Sequence, residues 1–70
     1  MIRVEDVKPG FIYRGGKGGA LRQVVSYGAH EGFVCWANPH DRLPYGGFLT
    51  TTCTSRASFA RWADKIEEEV

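Results

Sequence analysis

Nine glycines and three prolines interrupt a chain of only 70 residues, and no other feature limits its fold as much. Glycine weakens helix and strand interiors and supplies the positive φ that tight turns require. The breakers therefore predict short strands joined by turns rather than a helical bundle. Hydrophobic residues at 43% and charged residues at 24% give a globular balance, and 70 residues leave room for a single domain.

Between the breakers the segments read as strands. Lys8-Pro9-Gly10 is a turn, and Phe11-Ile12-Tyr13-Arg14 after it is rich in β-branched and aromatic residues, which predicts a strand at 11–14. Gly15-Gly16-Lys17-Gly18-Gly19 is a hairpin loop leading into a second strand at 20–27, whose imperfect alternation points to a bulge or strong bending. Gly28 to Gly32 turn the chain back into Phe33-Val34-Cys35-Trp36-Ala37, the most apolar and so the most central strand. Asn38 to Gly47 form the longest irregular stretch, and a fourth strand is predicted at 48–53 from its threonines.

The period then changes from two to that of a helix. Phe59, Trp62, Ala63, Ile66 and Val70 form one stripe, which predicts an amphipathic helix over about 56–69 with Ser55 or Thr54 as N-cap. Glu67–Glu69 oppose the helix dipole, so the last turn is expected to fray. Four short strands cannot shield two faces. The expected fold is mainly β: a small four- to five-stranded SH3-like barrel, or a strongly bent antiparallel sheet, capped by one C-terminal α-helix. The flat alternative is a four-stranded sheet with the helix across one face. The expected core is Phe11, Val24, Val25, Val34, Trp36, Leu49, Phe59, Trp62 and Ile66.

Net charge is +1, which excludes a strongly basic nucleic-acid tail and an acidic nucleic-acid mimic. The charge is uneven: residues 1–62 carry eight basic and four acidic side chains, and residues 63–70 carry one basic and four acidic. No secretory apolar stretch follows Met1, and the run from Phe33 to Ala37 is far shorter than the roughly 20 residues that span a bilayer. A soluble cytoplasmic protein with no membrane partner is expected. In that compartment Cys35 and Cys53 are expected as thiols, although a bond becomes feasible if the third and fourth strands pair.

Chemical motifs are scarce. The Gly15–Gly19 loop lacks the following helix and the Lys-Ser/Thr pair of a phosphate loop. His30, Cys35, His40 and Cys53 do not fall in the close pairs of a structural zinc site, so no metal and no cofactor are expected. No nucleophile, base and acid are set out as a catalytic group, and no enzymatic activity is expected. The candidate binding residues are Arg14, Lys17, Arg22, Arg42 and Tyr45, a basic and aromatic set on strand ends and loops. Such a set suits phosphate and base contacts, and equally the Tyr- and Arg-rich centres of protein interfaces.

Two blocks carry a family resemblance. Lys8-Pro9-Gly10-Phe11-Ile12-Tyr13-Arg14, followed by a glycine-rich turn and Leu21-Arg22-Gln23-Val24-Val25, resembles the opening strands of small phage and prophage proteins. Phe59-Ala60-Arg61-Trp62-Ala63 is similar to their terminal helix. The resemblance implies a small SH3-like barrel doing accessory work, such as binding or inhibiting a host protein. Weak nucleic-acid binding through a basic-aromatic rim is the alternative it leaves open. The Lys-Pro-Gly turn also resembles those of nucleic-acid-binding barrels of the ribosome and transcription machinery, which usually place Asp where this chain has Phe11.

Overall fold

The computed structural model describes residues 1–70 and is mainly β. Five antiparallel strands form one sheet: β1 (Phe11–Gly15), β2 (Ala20–Tyr27), β3 (Phe33–Ala37), β4 (Thr52–Ser55) and β5 (Ala63–Glu69). One helix, α1 (Arg56–Trp62), lies between β4 and β5, and single 3-10 turns occupy Val4–Asp6 and Pro39–Asp41. The strand order is β4-β3-β2-β1-β5, so the first and last strands are neighbours while β4 and β5 are the two edges. The sheet is not closed.

The bounds of the first three strands and the helix start follow the sequence reading, although β2 and not the more apolar β3 is the central strand. Gly16 and Gly19 take positive φ in the β1–β2 hairpin, which fits the glycine run. The β2–β3 ladder skips a residue between Val24 and Ser26, the bulge that the broken alternation of β2 predicts. Ser55 caps α1 by accepting a hydrogen bond from Ser58 N at 3.1 Å.

Two elements depart from expectation. The helix stops at Trp62 rather than continuing to 69, because Ala63 is already extended and residues 63–69 pair along β1. The outer edge of β1 presents unpaired peptide groups in the middle of the molecule, and satisfying them outweighs the helical period of the segment. The fourth strand lies at 52–55 instead of 48–53. Gly46 and Gly47 at positive φ fold residues 42–48 back on themselves, with an Arg42–Phe48 bridge and a hydrogen bond from Leu43 N to Gly47 O. The chain therefore reaches β3 four residues late, in a register that sets Cys53 directly opposite Cys35.

That register corrects the thiol expectation. Cys35 and Cys53 are joined as a disulfide. Such bonds persist in oxidising surroundings and are opened by the cytosolic glutathione pool.

The core lies between one face of the sheet and α1. Val7, Tyr13, Val24, Val34, Phe59, Ala60 and Ala63 form it, with Ile2, Phe11, Trp36 and Trp62 packed around its margin. Leu49 and Ile66, expected inside, are 70% and 42% exposed because each sits on a stretch displaced from its predicted element. Tyr13, absent from the expected core, is fully buried at the centre. Its ring meets Phe59 edge-on at 5.2 Å, and its hydroxyl donates to Asp6 O at 2.6 Å and accepts from Lys8 N at 3.1 Å. That one side chain pins the N-terminal segment to the sheet.

Burial pushes the Tyr13 hydroxyl above its ordinary pKa of 10.0. The folded protein thus keeps a proton that the unfolded chain loses near about pH 10, so this stability is complete below that pH and fades as pH rises through the folded value. Tyr13→Phe leaves Asp6 O and Lys8 N without their partner and should cost about 1–3 kcal/mol at neutral pH. Urea denaturation at neutral and alkaline pH should show the gap between variant and parent narrowing at the alkaline end.

Candidate binding surface

Strand alternation and the hairpins place the expected binding residues at one end of the sheet but on different faces. In a meander, the β1–β2 hairpin and the β3–β4 loop leave from the same end, and these two connections carry Lys17, Arg42 and Tyr45. Arg14 and Arg22 lie on the strands just behind them. The five do not form one continuous basic rim.

Arg14 is already engaged. Its Nε donates to Glu67 Oε1 at 2.7 Å and its guanidinium also donates to Gly19 O at 2.7 Å, tying β5 and the hairpin to β1. The Arg14 hydrogen bond holds the Glu67 carboxyl below the ordinary carboxylate value. Arg14 is therefore a clamp within the fold, and its charge is largely answered.

Arg22 faces the other way. It pairs in register with Tyr13 and so projects on the core side of the sheet, at the open end beyond Val24. Its guanidinium carbon lies 4.1 Å from the Trp36 ring centroid and 4.1 Å from that of Trp62. Trp36 comes from β3 and Trp62 from the last turn of α1, so the cation is stacked between sheet and helix. All three side chains are partly exposed. Desolvation pulls the Arg22 pKa below its ordinary value, and no acidic group acts on it. Lys17 follows Gly16, whose α-carbon packs against the Trp62 indole so closely that a β-carbon there would stand 3.0 Å from Nε1. The hairpin thus carries Lys17 beside this stack.

The opposite face of the sheet holds a groove of about 340 Å³. Ile12, Leu21 and Gln23 form its floor, with His40 and Arg42 on the loop side and Glu68 on the β5 side. Pro39–Asp41 is set there by Asn38, whose side chain accepts from His40 N at 2.9 Å. Gln23 is only 9% exposed, yet its carboxamide opens onto this groove. Arg42 shares the groove with acidic residues, whereas Tyr45, 85% exposed, stands out on the loop.

No three histidine, cysteine or carboxylate side chains converge as metal ligands. No helix is long and apolar enough to cross a membrane. The chain matches no family model, no curated protein and no solved structure.

Residue type points to Arg22 but not to its setting, because the helical stripe places Trp62 in the core. The signal was there: alternation on β2 puts Arg22 in line with Val24, a cation on the apolar side of a strand. A cation so placed needs aromatic faces or an anion, and two tryptophans were the nearest supply of the former.

Proposed function

We propose that this chain is a small non-enzymatic binding protein that engages a protein partner through its loop-bearing end. The observation that carries the reading is the Trp36–Arg22–Trp62 stack, partly exposed beside the Lys17 hairpin. Tryptophan and arginine are the residues most enriched at energetic centres of protein interfaces, where they combine large apolar area with directed hydrogen bonds. Tyr45 and Leu49, 85% and 70% exposed on the neighbouring loop, add apolar surface of the kind an interface covers. The resemblance of the opening strands and the Phe59–Ala63 block to phage and prophage proteins supports an accessory factor that binds or inhibits a host protein. The strand order, with β1 beside β5 and a helix between β4 and β5, supports an SH3-like barrel left open between its edge strands.

Nucleic-acid binding is the second reading, favoured by Lys17 and Arg42, which make no ion pair and lie on the two loops at this end. It is the weaker of the two. Arg14 is answered by Glu67, and Glu68 and Glu69 line the groove that contains Arg42, so few cations remain for a run of phosphates.

Titration against short single-stranded and duplex DNA and RNA at about 50 and 200 mM salt separates the readings, because phosphate binding falls steeply over that range. No binding at the lower salt is expected. A host protein recovered on the immobilised chain, then purified and titrated, should bind with little salt dependence. Replacing Lys17 and Arg42 by alanine should move stability by no more than about 0.5 kcal/mol. Tight, salt-sensitive binding to nucleic acid that these two substitutions abolish would reverse the order of the readings.

A further inference from the structure

Arg22 presents an unusual combination of features. Its guanidinium carbon lies 4.1 Å from the centroids of two indole rings, and it makes neither a hydrogen bond nor an ion pair within the chain. The other core-side polar groups are used: the Tyr13 hydroxyl reaches Asp6 and Lys8, and Arg56 donates to Val7 O at 2.7 Å. A guanidinium held against two aromatic rings keeps its N–H groups for other partners, and those form a rigid fork matched to two oxygens of one anion. The rings also fix the side chain, so little freedom is lost when the fork is filled. Partial desolvation strengthens any charge that meets it.

We propose that the Trp36–Arg22–Trp62 stack is a carboxylate-binding site that takes the side chain of an aspartate or glutamate on the partner protein. The inference rests on the protein-binding reading and names the chemistry of its central contact. A carboxylate suits the site better than a polyphosphate because the stack presents one guanidinium, which answers a single negative charge. The flanking indoles accept the apolar stem of a glutamate side chain, so the contact combines a fork with a greasy wall.

The test uses the full ¹⁵N-labelled chain and follows the Arg22 Nε–H and the indole N–H signals of Trp36 and Trp62. The probes are doubly capped glutamate (N-acetyl, N-methylamide), the capped glutamine analogue and inorganic phosphate, all at one ionic strength. Capped glutamate should give saturable shifts at these three signals in the millimolar range, with glutamine silent and phosphate weaker. Arg22→Lys keeps the charge and loses the fork, and should weaken glutamate binding about tenfold or more, the loss of one charge-assisted hydrogen bond. A thermal melt of that variant establishes that it folds, and the parent titration stands without it. Equal shifts from glutamine, tighter binding of phosphate, or shifts confined to the His40–Arg42 groove would overturn the proposal. Silence at Arg22 while a purified host partner still binds refutes the carboxylate site alone. Glutamate binding at Arg22 with no protein partner refutes the broader reading and leaves the site standing.

Discussion

Phe59→Ala should leave the protein largely unfolded at room temperature. Phe59 is 1% exposed and is the only large side chain of α1 that is fully buried. It stands between Tyr13, 5.2 Å away edge-on, and Trp62, 5.3 Å away at a tilt, so it joins the sheet, the helix and the Arg22 stack in one cluster. Truncating such an aromatic costs about 3–5 kcal/mol through lost burial and the cavity left behind. A single core in so short a chain supplies little more than that. Circular dichroism melts and intrinsic tryptophan fluorescence should show loss of the cooperative transition. A variant that melts cooperatively within a few degrees of the parent would mean that α1 is not part of the core. Because Phe59 supports Trp62 from behind, its loss should also free Arg22 from its stack, and the indole signals should move toward solvent values even where residual structure survives.

The parts of this fold that local sequence dictates were legible, and those that depend on distant partners were not. β1, β2 and β3 are bounded by glycine turns and filled with β-branched and aromatic residues, so propensity, punctuation and tertiary structure agree. Ser55 announces the start of α1 for the same reason: the cap is a contact three residues long. The end of α1 is different. Phe59 and Ala63 satisfy the helical stripe and are buried, but Ile66 and Val70 continue that stripe in sequence and are 42% and 58% exposed. Residues 63–69, Ala-Asp-Lys-Ile-Glu-Glu-Glu, are poor strand formers, and nothing within them announces β5. Their conformation is set by the open edge of β1, some fifty residues earlier. The position of β4 was hidden in a similar way, since the Arg42–Phe48 fold-back consumes residues that look like strand.

The candidate site divides along the same line. Arg14, Lys17, Arg22, Arg42 and Tyr45 were found by residue type and by nearness to turns, which is local information. That Arg14 spends its charge on Glu67 depends on β5 and could not be read. The face on which Arg22 lies was readable from alternation, but its enclosure by Trp36 and Trp62 needs both the β2–β3 register and the end of α1. A cluster made from three elements is visible only once those elements are placed.

Gly15→Ala should be the most damaging single-methyl addition in the chain, although Gly15 is an ordinary extended strand residue by its backbone angles. A β-carbon there would overlap the carbonyl oxygen of Trp62 and stand 2.9 Å from the Ala63 α-carbon, and both are backbone. Flexible side chains can yield by rotation, whereas backbone can yield only by moving an element. The contact falls where α1 gives way to β5 and where Gly15 pairs with Ala63. Relief therefore requires the α1–β5 junction to lift from β1, which strains the pairing below it and draws Trp62 away from Arg22. Overpacking of a well-fitted interior costs about 1–3 kcal/mol or more, and a clash with backbone lies at the upper end. Gly18→Ala is the matched control, because a β-carbon at Gly18 meets nothing within 4 Å and its φ is not positive. Urea unfolding of the two variants should give a large loss for Gly15→Ala and almost none for Gly18→Ala. Amide exchange should quicken first along Tyr13–Gly15 and Ala63–Ile66 in the former. If both variants are equally stable, the close approach of the α1–β5 junction to β1 is wrong, and with it the geometry that holds Trp62 over Arg22.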